Sequence, residues 1–289
     1  LTLLKNPICE RERRAGARSA RFSVFILAAD GVLALIALVP VWFILRRTAE
    51  TGTLRYASFL TVFRYLSWVE FAIICAVVPA LTAGAISGER ERRTLDLMLT
   101  TRMTPADIVL GKLLTVTVQT ALLVFTAAPV FSAVLMFGGV RFPDLLVLYL
   151  LLILTAVLAG CIGIACSAFH AGTALSVAQA YGAEALLFLG PFLAGAMIRG
   201  ISGGAGPAGA FLPFSPVASF SAALGLMTGE GSQIASLPGG GAAGLVSPGA
   251  LVVRGTILQL AMCIVLTCLA VLGTGRGMQN KTHSGVFMS

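Results

Sequence analysis

Six long apolar runs decide what this chain can become. They are Phe22–Leu45, Leu66–Ile86, Ile108–Phe137, Leu145–Ala168, Ala174–Ile198 and Leu251–Thr274. Each reaches or exceeds the ~20 residues that a helix needs to cross the hydrocarbon core of a bilayer. A spanning helix satisfies its own backbone polar groups, so a helical bundle is the natural architecture. A β-barrel would need short alternating strands, which these runs contradict. Composition points the same way: 57% of residues are hydrophobic and 11% charged, with a mean hydropathy of +0.95. That leaves too little polar surface to cover a water-facing globule. The expected fold is an all-α integral membrane protein with a six-helix transmembrane bundle.

A net charge of +8 and a pI near 9.6 raise the question of nucleic acid. The basic residues flank apolar runs, however, where lipid headgroups and the positive-inside bias act, so membrane lipid is the expected partner and nucleic acid is not. Counting Lys and Arg sets the orientation. With both termini in the cytoplasm, six precede the first span, five (Lys112 included) separate the second and third, and two follow the sixth. The other side then receives seven, so both ends are expected inside. Four of those seven, Arg46, Arg47, Arg55 and Arg64, crowd the hairpin between the first two spans and stand against the rule.

The segments outside the spans differ in kind. Residues 1–21 read as an N-terminal interfacial helix, with Asn6 as N-cap and Pro7 at the first helical position. Residues 200–250 hold 13 of the 32 glycines and five of the 12 prolines but one charge, Glu230. Within them Phe211–Met227 is apolar yet broken by Pro213 and Pro216, which suits a re-entrant or interfacial element of an external loop better than a seventh span. The 22–199 region carries the first five spans, 251–274 the sixth, and 275–289 a cytoplasmic tail.

Three acids fall inside spans. Asp30 and Glu184 lie eight and ten residues from the starts of their runs, about 12–15 Å deep at ~1.5 Å per residue. Such groups are candidates for a translocation pathway by default, or for hydrogen bonds with Gln119, Gln179 or Gln259 that hold the bundle together. Glu70, four residues from the start of its run, reads as interfacial. Six cysteines and two histidines form no metal-ligand pattern, so no metal or other cofactor is expected on this chain.

Ser87–Lys112 is the exception in an oily chain: 26 residues hold nine of the 32 charged side chains. Thr104, Pro105 and Asp107 form a strong helix start, a threonine cap followed by proline and an acid. Proline also biases Thr104 away from helical geometry, so the preceding element ends by about Met103. In that element, residues 87–103, Leu95, Met98 and Leu99 make one apolar face, and Arg92, Arg93 and Asp96 offer a polar face. A short charged helix at the membrane boundary is a docking device, whereas a purely topogenic loop would not need Glu89, Glu91, Asp96 and Asp107 among its arginines.

Ile86–Leu114 resembles the second cytoplasmic segment of ATP-binding-cassette (ABC) transporter permeases of the type-2 exporter family. The matching residues are Glu89, Glu91, Thr94, Leu95, Asp96, Leu97, Leu99, Thr104, Pro105, Ile108, Gly111 and Lys112. The opening Lys5–Arg14 is similar to the Asn-Pro-Ile start of such permeases. The resemblance implies a coupling helix seated in a cleft of a cytoplasmic ABC ATPase subunit, with Glu89, Arg90, Glu91, Arg92, Arg93, Thr94, Leu95, Asp96, Leu99, Thr104 and Pro105 as its residues. It further implies export, ATP and magnesium on the partner, a second permease copy or a sister permease, and a bacterial inner (plasma) membrane. No GxxxxGK[ST] occurs, so this chain does not cradle phosphate itself and is not expected to be an enzyme.

Two other classes compete. An ion-coupled secondary transporter would work without an ATPase through Asp30 and Glu184, but no internal duplication is visible. An intramembrane hydrolase has too few histidines near acids to build a catalytic site.

Overall fold

The computed structural model describes residues 20–53, 56–91, 104–136, 140–170, 172–201, 208–229 and 247–285, and every regular element among them is helical. In chain order these are α1 (Ala20–Thr51), α2 (Tyr56–Ala83), α3 (Ser87–Glu91), α4 (Pro105–Thr126), α5 (Ala128–Met136), α6 (Phe142–Phe169) and α7 (Thr173–Ile201). A 3-10 helix, Ala208–Phe214, then leads to α8 (Pro216–Thr228) and α9 (Pro248–Gly285). Six stretches are long and apolar enough to cross a membrane: α1, α2 with α3, α4 with α5, α6, α7 and α9. The chain is an all-α membrane bundle. The interfacial helix expected before residue 20 and most of the charged 87–103 segment lie outside the described residues.

Local chemistry sets the helix boundaries. Thr104 is the N-cap of α4: its hydroxyl accepts from the Asp107 amide at 3.3 Å while Asp107 Oδ2 accepts from the Thr104 amide at 3.1 Å. Pro105 takes the first helical position, where its missing N–H costs nothing. The third apolar run is not one helix. It breaks at Ala127, because Pro129 lacks an amide and its ring crowds the carbonyl four residues back.

Helix α6 is the axis of the bundle, packed by α2, α4, α7 and α9. Small residues let α2 approach it closely, since a Cβ on Gly163 would overlap the Thr82 hydroxyl. Aromatic rings fill the opposite half of the core. Phe220 of α8 stacks on Phe71 of α2 with centroids 4.6 Å apart and meets Trp68 edge-on at 5.3 Å. Trp68 and Phe71 lie 12 and 15 residues along α2, about 18–22 Å from Tyr56 at 1.5 Å per residue. The proline-broken stretch is therefore part of the core. Ser215 caps α8 and donates to Phe188 O of α7 at 2.6 Å, and Gln259 Nε2 of α9 donates to Ser219 Oγ at 2.7 Å.

Candidate functional site

After α2 the chain turns at residues 84–86, which leaves amides without intrahelical acceptors. Ser167 of α6 meets two of them: its Oγ accepts from Ile86 N at 2.9 Å and Ser87 N at 2.8 Å. Ser87 and Ser167 are both fully buried, so this junction is fixed to the end of α6.

The charges that follow also turn to the bundle. Arg90 donates from Nη1 to His170 O at 3.2 Å and from Nη2 to Ala168 O at 3.1 Å. These are terminal carbonyls of α6, where the helix dipole is negative. Glu91 accepts from the Thr173 amide at 2.8 Å and from its hydroxyl at 3.1 Å, at the positive start of α7. Glu89 Oε1 stands 3.8 Å from Nζ of Lys112, a nearly buried residue of α4. Three successive charges thus bind α4, α6 and α7, each with the favourable sign. Glu89, Arg90, Glu91, Thr104 and Pro105 are gathered at one end of the bundle. Arg92, Arg93, Thr94, Leu95, Asp96 and Leu99 lie outside the described residues.

The spanning acids are placed differently from one another. Asp30 of α1 accepts a long hydrogen bond, 3.4 Å, from Thr126 Oγ1 of α4. Glu184 of α7 is 5% exposed and stands beside Cys75 of α2, with Oε1 unpartnered. Gln259, one of the expected partners, is committed to Ser219 instead. Glu70 is a correction: it is 1% exposed and neither carboxylate oxygen has a hydrogen-bond partner among the described residues. It is not interfacial because α2 begins at Tyr56, ten residues before the apolar run, which puts Glu70 at mid-helix. Asp30 and Tyr149 of α6 lie near enough to Glu70 to interact electrostatically. No sequence signal marked Tyr149, Thr126, Ser167 or Thr173, because their partners are some 80 to 100 residues away along the chain.

Residues 26–272, which reach from the first spanning helix into the last, match the family model described as ABC-2 family transporter protein. No curated protein matches the chain.

Proposed function

The chain belongs to the ABC-2 transporter family, a family of membrane permeases, and from that premise we propose that it is driven by a separate cytoplasmic ATPase. In this reading residues 87–103 are the coupling helix. Arg92, Arg93, Thr94, Leu95, Asp96 and Leu99 face the ATPase, and Glu89, Arg90 and Glu91 pass its movement to the bundle. The observation that carries the proposal is the double grip of Arg90 and Glu91 on the end of α6 and the start of α7. A push on the segment is thereby delivered to two spanning helices at their joint, and through Glu89 and Lys112 to a third.

Export is the direction implied by the family resemblance. A second permease copy or a sister permease completes the pathway, the usual solution being a closed symmetric pair. ATP and magnesium belong to the partner. The bacterial inner membrane, with both termini cytoplasmic, is the setting. The 200–250 region is an external loop whose α8 re-enters the bundle, a reading supported by the contact of Phe220 with Trp68 and Phe71.

The test is co-purification from the native host, followed by ATPase and transport assays on the reconstituted complex. Reversal of Arg92, Arg93 and Asp96 together should leave hydrolysis running while transport falls at least tenfold. Retained coupling in that variant, or the absence of any ATPase in the purified complex, overturns the proposal. A second reading, an ion-coupled carrier, draws on buried Glu70 and Glu184. Transport by the lone chain in ATP-free liposomes would favour it.

A further inference from the structure

At the end of the bundle opposite Ser87–Glu91, α1 and α2 enclose a cleft of ≈ 520 Å³. Its walls change character along α1. Pro40, Phe43 and Ile44 form an apolar floor, and Arg47 with the hydroxyl residues Thr53 and Ser58 forms a polar rim. Arg47 lies three residues beyond Ile44 and seven beyond Pro40, about 5–11 Å along the axis at 1.5 Å per residue, so floor and rim are roughly one to two helical turns apart. Trp42, half exposed, carries the Arg46 guanidinium over its ring at 5.0 Å. A tryptophan paired with arginine is an interface anchor, which sets this part of α1 at headgroup level. The apolar floor then faces the acyl region and the rim faces the headgroups.

We propose that this cleft binds one anionic phospholipid, its phosphate on Arg47 and the first part of its acyl chains over Phe43 and Ile44. Three observations support a negatively charged amphiphile. No acid lines the cleft among the described residues, and Glu50, three residues beyond Arg47, is not part of it. Arg47 is the one charged residue that lines the cleft among the described residues, and the Thr48 and Thr51 hydroxyls donate to Ile44 O and Arg47 O of their own helix, each at 2.8 Å, which leaves the guanidinium as the main donor at the rim. The arginine-rich hairpin, which runs against the positive-inside bias, also gains a use: anionic headgroups attract basic side chains near the membrane surface. The site does not depend on the ATPase or on which leaflet faces this end.

The test compares phospholipids bound to the purified full chain by native mass spectrometry after exchange into detergent containing dioleoyl-phosphatidylglycerol or dioleoyl-phosphatidylcholine. Wild type should retain phosphatidylglycerol preferentially. Arg47→Ala should weaken that preference about fivefold, whereas Arg46→Ala, whose guanidinium lies on Trp42 and does not line the cleft, should weaken it less. Arg47→Lys and Ile44→Ser give a second pair: the first keeps most of the preference, the second loosens both lipids. Millimolar glycerol phosphate, which has the anion without the chains, should not displace bound lipid. Equal retention by Arg47→Ala and wild type overturns the proposal, as does displacement by glycerol phosphate, which would make the cleft a plain anion site.

Discussion

Arg90 and Glu91 are neighbours in sequence yet bind opposite poles of two different helices. The arginine meets the carbonyl end of α6 and the glutamate the amide end of α7. A side chain that caps a helix start in this way contributes on the order of 1 kcal/mol. Glu91→Ala is therefore expected to lower the stability of the purified chain by about that amount, measured as a shift in thermal unfolding monitored by tryptophan fluorescence. Glu91→Lys should cost more, because it sets a cation against the positive helix end. Glu91→Gln should recover part of the loss through its remaining acceptor. If all three variants unfold like wild type, the contact is not holding the joint. Glu70 poses the opposite problem, a carboxyl in the core without a partner. Burying an unpaired charge is costly, while a neutral amide of the same shape is cheaper. Glu70→Gln is expected to leave the unfolding temperature equal or higher, and a marked decrease would show that the acid has a partner in the working protein.

Among the elements, the six spans could be read from the sequence because a bilayer imposes a length and an apolar content that few other structures share. The start of α4 was equally legible, since Thr104, Pro105 and Asp107 are local signals with local causes. What could not be read was the extent of α2. Arg64 and Tyr65 look like the edge of a membrane, but the helix runs through them to Tyr56 and carries Glu70 into the core. The grip of the charged segment was hidden for a related reason. Its partners on α6 and α7 are mainly backbone groups at 168–173, carbonyls for Arg90 and an amide for Glu91, and backbone has no sequence signature. The contact between α2 and α6 is the third case, where a single glycine sets how near the helices come. Gly163→Val would drive a branched side chain into Thr82, and overpacking of this sort costs about 1–3 kcal/mol. The variant is expected to aggregate on detergent extraction or elute early by size exclusion. Gly190→Val on α7 is the control, because a Cβ there would meet only the end of the Leu186 side chain. Equal behaviour of the two variants would show that the α2–α6 contact is looser than the geometry requires.

At the scale of the whole molecule, the order of the helices fixes which joints share a membrane face, whatever the orientation. The α1–α2 hairpin and the start of α9 lie on one face, and the α2–α4 and α6–α7 joints lie on the other, because the six long helices alternate in direction and α8, at 13 residues, is too short to be a further crossing. The orientation itself rests on 13 basic residues against seven, a bias that acts through short loops near the spans. The lipid cleft offers one reason for the seven to be so many without the bundle being inverted. Single cysteines on a cysteine-free background can decide the matter. Glu50→Cys and Ser247→Cys, both at exposed positions, are expected to react with a membrane-impermeant maleimide in intact cells. Thr104→Cys, also exposed, should react only after the cells are permeabilised. The reverse pattern would put Ser87–Lys112 outside the cell, beyond reach of any ATP-consuming partner, and the coupling proposal would fail while the fold stood. Labelling of all three from outside would instead contradict the bundle, since an odd number of crossings must separate Glu50 from Thr104.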